Sequence, residues 1–126
     1  MDPMLTNLNW PAVIVGAVAA FALGMVWFGP IFGKAWATGS HGITPPSRLP
    51  LGAMAAQAVG TFLMAVVIGA TETQQALVTA ILVILGFAAL QLGGGLFSQK
   101  SPVAALIDAG FVVAMGVVMI AAQAIL

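Results

Sequence analysis

The chain carries few groups able to do chemistry. Its ionisable residues are Asp2, Lys34, His41, Arg48, Glu72, Lys100 and Asp108, and it has no Cys and no Tyr. Metal binding needs clustered His, Cys or carboxylate ligands. Here one His and three acids are scattered through the sequence, so no metal site is expected, and no cofactor. Nucleophilic catalysis needs a Ser, Thr or Cys beside a base. Ser40 next to His41 is one such neighbouring pair. It falls in a Gly-, Ser- and Thr-rich stretch that reads as a bland connecting loop. The glycines of LGFAALQLGGGLF lack the strand–turn–helix setting of a phosphate loop. No catalytic residue is assigned, and the chain is expected not to be an enzyme. Asp108 is the exception that invites a role, because an acid inside an apolar segment is a functional candidate by default.

The elements that would hold these residues follow from composition. Of 126 residues, 62% are hydrophobic and 5% charged, against about 45–50% and about 25% in soluble domains. Mean hydropathy is +1.16. So few charges cannot coat a water-facing surface, and the lipid bilayer is the expected solvent. Three basic residues cannot form a phosphate-tracking patch, so nucleic acid is excluded as a partner.

Four stretches reach the roughly 17–25 apolar residues a helical span requires. They cover about 11–28, 51–70, 75–96 and 102–126, joined by one sizeable loop at 29–50. The apolar runs are continuous rather than alternating, which rules out barrel strands. The expected fold is all-α, an integral membrane bundle of four transmembrane helices in two antiparallel hairpins. Short connections place each helix beside its sequence neighbour. Asn9 and Pro11 open the first span as N-cap and first-turn proline, Ser101 and Pro102 open the fourth, and Ser47 is expected to cap the second. Gly29-Pro30 breaks or kinks the first helix, and the rest of the 29–50 loop reads as irregular. Trp10 and Trp27, about 25 Å apart along a helix, together with Lys34 and Trp36, are expected to anchor the interfaces.

Orientation rests on the basic residues. Lys34, Arg48 and Lys100 share one side, while Asp2 and Glu72 lie on the other. The positive-inside rule places the 29–50 loop in the cytoplasm and both termini outside, in the periplasm for a bacterial inner membrane. The amino terminus has no basic residue before its apolar stretch, so a cleaved signal peptide is not expected.

Lipid supplies no hydrophobic drive for helix association, so small-residue ridges and polar contacts must do it. Gly16 and Gly24 mark such a ridge on the first span, Gly60 on the second, Gly86 on the third and Gly110 on the fourth. Gln57, Gln91 and Asp108 lie roughly 8–10 Å inside the same end of their helices. Meeting one another as a buried polar layer would satisfy all three.

The residues NWPAVIVGAVAAFALGMVWFGPIFGKAW, from Asn9 to Trp36, resemble the opening of an uncharacterised bacterial membrane-protein family, the domain-of-unknown-function family seventeen sixty-one. LGF at 85–87 and LIDAGF at 106–111 resemble its third and fourth spans. Trp27-Phe28 stands where a Trp-Tyr pair is common. The resemblance implies a four-helix membrane protein and carries no activity with it. Two functions compete on the sequence. One is a non-enzymatic accessory or structural subunit, packed with other membrane-protein subunits or with itself as a homo-oligomer. The other is a small proton-coupled transporter using Asp108.

Overall fold

The computed structural model describes residues 3–44 and 50–126. Asp2, Arg48 and the expected cap Ser47 lie outside the described residues. A short helix, α1 (Pro3–Thr6), precedes the first long one, α2 (Trp10–Val26), which runs on through a π-helical turn at Trp27–Ile31. Then come α3 (Gly33–Gly39), α4 (Leu51–Thr73), α5 (Leu77–Phe97) and α6 (Pro102–Ile125). The described residues are helical, without strands, and four helices are long and apolar enough to cross a membrane.

The ends of these helices follow from local chemistry. Asn9 Oδ1 accepts from the Ala12 amide and Ser101 Oγ from the Ala104 amide, each with a proline in the first turn. These side chains satisfy amide groups that a helix leaves unpaired at its start. Both tight turns close in the same way. The Gln75 amide donates to the Glu72 carbonyl and that of Ala76 to Thr71, and after α5 Gln99 donates to Leu96 and Lys100 to Gly95. That is the Schellman pattern, with Gln75 (φ +51°) and Gln99 (φ +64°) in the left-handed position that glycine usually holds.

Pro30 has no amide proton, and its ring crowds the preceding turn. The chain widens around it, and the Phe32 amide reaches back five residues to the Trp27 carbonyl at 2.9 Å. Gly33 is required directly afterwards, since a Cβ there would lie 2.5 Å from the Phe28 carbonyl oxygen. The 29–50 loop is therefore not irregular throughout. Its first part folds as α3, which docks on the start of α6. The Ser101 amide donates to the Gly39 carbonyl at 2.9 Å, and a Cβ at Gly39 would collide with Ser101 and Ala104. Turn-prone residues in the sequence concealed a helix that tertiary packing stabilises.

The two expected hairpins form, α2 with α4 and α5 with α6, but the packing between them differs from a simple run of sequence neighbours. α6 is the hub, packed antiparallel against α2 on one side and α5 on the other. Half of it is buried, against 17–22% for the other three spans. α4 leans on α2, whereas the sequence neighbours α4 and α5 meet only lightly. Small residues make α6 the hub: Ala104, Ala105, Ala109 and Gly116 are all buried along it. Val13, Ala20, Ile68, Ile84, Phe111 and Met119 fill the centre of the bundle. The outward surface carries exposed Val18, Leu63, Leu82 and Leu90, which suits a lipid surround.

Candidate functional site

The light contact between α4 and α5 accompanies a partly open cleft of about 480 Å³. α2 contributes Phe21 and Met25, α4 contributes Met54 and Gln57, α5 contributes Gln91, and α6 contributes Asp108 and Phe111. Phe28 and Trp36 reach it because the π turn folds α3 back over α6.

Asp108 is the charged residue of this lining. Its Oδ1 accepts from Trp36 Nε1 at 2.8 Å, and its Oδ2 pairs with Lys100 Nζ at 2.8 Å. The turn after α5 aims Lys100 at the carboxylate, eight residues along the chain. Lys100 Nζ also sits 5.4 Å from the centroid of the Trp36 ring, within reach of a cation–π attraction. Both partners are sheltered, with 24% of the Lys100 side chain and 15% of the Asp108 side chain exposed.

An aromatic cluster fixes this arrangement. Phe28 meets Trp36 edge-on at 5.2 Å and Phe111 at 5.3 Å, while Trp27 lies against Phe32 at 4.8 Å and Phe111 at 6.2 Å. Trp27 Nε1 donates to the Ile107 carbonyl of α6 at 3.0 Å. Gly24 and Gly110 make room for these rings, since a Cβ would lie 3.1 Å from Phe111 and 3.3 Å from Trp27 respectively.

Several sequence expectations change here. Gln57, Gln91 and Asp108 do come to one cleft, but they do not form a buried layer bonded to itself. Both glutamines are exposed, and Asp108 bonds to Lys100 and Trp36. An ammonium satisfies a carboxylate more fully than an amide can, and the helix turn places one within reach. Trp27 and Trp36 were expected as interface anchors, yet both turn their N–H groups inward. Trp10 is exposed and stacks on Phe62 at 6.5 Å, and Lys34 is exposed. Ser40 and His41 do not work as a pair. Ser40 Oγ is buried without a hydrogen-bond partner among the described residues, while His41 Nε2 donates to the Ser98 carbonyl at 2.8 Å.

The glycines divide. Gly16 packs at ordinary contact distance from Met119 and Ala122, and Gly24 and Gly110 receive aromatic rings. Around Gly60 and Gly86 there is nothing within 4 Å of a Cβ position. Among the described residues, neither of those two glycines is used to bring two helices of this chain together. Sequence reasoning missed Gly39, Gly116 and Gln123. A Cβ on Gly116 would lie 2.5 Å from Ile84 Cδ1, and Gln123 is buried in α6 beside Gly69. The four-residue spacing from Gly116 back to Val112 and Asp108 was the available signal for Gly116. Gln123, a lone amide in an apolar run, offered the same signal that singled out Gln57 and Gln91, but it lies at the opposite end of its span from them.

Neither the curated proteins nor the solved structures yield a match. A family model does match, over residues 11–122, and its description is Protein of unknown function (DUF1761). The match reaches into all four spans and takes in every residue named around Asp108. The chain belongs to the DUF1761 family.

Proposed function

We propose that the protein is a non-enzymatic accessory or structural subunit of a multi-pass membrane assembly, built with copies of itself or with other membrane proteins. The carrying observation is the set of open glycines. Gly52 and Gly60 on α4, and Gly86 and Gly93 on α5, have nothing within 4 Å of their Cβ positions. At 3.6 residues per turn, Gly86 and Gly93 lie nearly opposite Ala80, Ile84 and Ala88, which face α6. On α4, Gly52 lies more than a third of a turn from the cleft-lining Gln57, whereas Gly60, seven residues on from Ala53, lies at the edge of the cleft-lining side. Small residues on a lipid-facing side let another helix approach closely, and each glycine in a helix otherwise costs about 0.5–1 kcal/mol relative to Ala.

The Asp108–Lys100 pair fits the same reading. A carboxylate held by an ammonium and an indole N–H has a structural reason to be where it is. The subunit would sit in a bacterial inner membrane with the Lys34 and Lys100 end cytoplasmic and both termini periplasmic. Cross-linking tests the assembly directly, since the chain has no native Cys. A cysteine replacing Gly86 and labelled with a thiol-linked benzophenone should photo-cross-link to a second copy or to a neighbouring subunit in native membranes. A cysteine replacing buried Ala109 should not. Negligible intermolecular photo-cross-linking from position 86, no greater than from position 109, would refute the proposal.

A further inference from the structure

The cleft beside Asp108 has a lining that suits one kind of small molecule. Its volume, about 480 Å³, falls within the roughly 300–1,000 Å³ typical of ligand sites. The rings of Phe21, Phe28 and Phe111 supply aromatic surface able to attract a cation, Met25 and Met54 supply adaptable apolar surface, and Gln57 and Gln91 are exposed carboxamides whose oxygens can accept. Among the described residues, no basic side chain is part of this lining. Lys100 reaches Oδ2 of Asp108 by way of a different, more polar recess of about 340 Å³, lined also by Gly94, Gly95 and Ser98. The carboxylate thus stands between two spaces, with its lysine in one and aromatic rings in the other. An apolar recess of about 330 Å³ adjoins the cleft, shares Phe21 and Met25 with it, and continues along α2 and α4 to Thr61.

We propose that this cleft binds a lipophilic cation, an aryl- or alkyl-substituted ammonium or phosphonium. Its charge lies against the Asp108 carboxylate and the phenylalanine faces, and its apolar body runs along the α2–α4 recess. Charge complementarity selects this class. The lining offers a carboxylate, amide oxygens and ring faces, all of which attract a cation. An anion would be repelled by the carboxylate and the ring faces, and only the two carboxamides could turn a donor toward it. Two hydrogen bonds do not exhaust the carboxylate, which has about four lone-pair positions. The bound cation therefore shares Asp108 with Lys100 and competes with it for charge. This inference does not rest on the assembly proposed above, because it is argued from Asp108 and the cleft lining and uses none of the open glycines.

The test uses the full chain in detergent micelles and two probes of like shape and opposite charge, tetraphenylphosphonium and tetraphenylborate. Binding is measured by equilibrium dialysis with protein-free micelles subtracted. The cation is expected to bind at least about tenfold tighter than the anion, a difference of about 1.4 kcal/mol. Asp108→Asn should remove that preference while keeping the Trp36 contact. Lys100→Gln should tighten cation binding several-fold by removing the competing charge, an effect that general damage to the fold would not produce. Phe111→Leu should weaken the cation and leave the anion unchanged. Equal affinities for the two probes, a preference for the anion, or weaker cation binding in Lys100→Gln would overturn the proposal.

Discussion

Gly116 and Gly86 lie on neighbouring helices and look alike as letters in an apolar run, but their surroundings differ. Gly116 on α6 meets Ile84 so closely that a Cβ would fall 2.5 Å from its terminal carbon. Gly86, two residues further along α5 than that same Ile84, faces open space. α6 uses its small residues to bring α2 and α5 close, whereas α4 and α5 pack some of theirs, Gly69 and Gly95, inward and leave Gly52, Gly60, Gly86 and Gly93 without a neighbour. The first kind holds the fold. The second kind has no work inside the fold and is what assembly would use.

Substitutions should separate the two kinds by size and by sign. The largest effect is expected at Gly116. Overpacking a filled core costs about 1–3 kcal/mol, so Gly116→Ala should lower the thermal unfolding temperature clearly, and Gly116→Leu should part α5 from α6. The Asp108 cluster comes next. Asp108→Leu strands Lys100 and the Trp36 N–H, for a loss of about 1–3 kcal/mol. Asp108→Asn should lose less, because an amide oxygen still accepts from Trp36. Adding Lys100→Met to Asp108→Leu should restore part of the loss, and a double-mutant cycle in detergent unfolding measures it. Trp36→Phe removes one hydrogen bond and should cost about 0.5–1.5 kcal/mol. The smallest effect, of opposite sign, belongs to Gly86→Ala. With no neighbour to strike, the added methyl should be neutral or stabilise the helix by up to about 1 kcal/mol.

The spans were legible because hydropathy and cap residues act locally. Asn9 and Ser101 cap α2 and α6 where the sequence places them, and the four apolar runs became four long helices. What the sequence concealed depends on contacts between distant segments. α3 forms from Gly- and Thr-containing residues because Gly39 and Trp36 dock on α6. Lys100 reaches Asp108 through the geometry of a turn in which Gln99, not glycine, takes the left-handed conformation. Placing Gln57, Gln91 and Asp108 at one depth anticipated their shared cleft, but depth along an axis says nothing of rotation about it. The same blindness to rotation made inward and outward glycines indistinguishable. It also affects how topology should be probed. Gly39 is wedged against Ser101 and Ala104, so a labelling cysteine belongs at exposed Thr44. There it should resist an impermeant external reagent in intact cells.

The division of the glycines is tested most directly by one paired measurement, native mass together with thermal unfolding, on the double variant Gly60→Leu/Gly86→Leu. The account predicts that this variant inserts and unfolds near the wild-type temperature while its assembled species is lost or sharply reduced. A wild-type native mass in the variant would contradict it, as would a fall in unfolding temperature as large as that of Gly116→Ala.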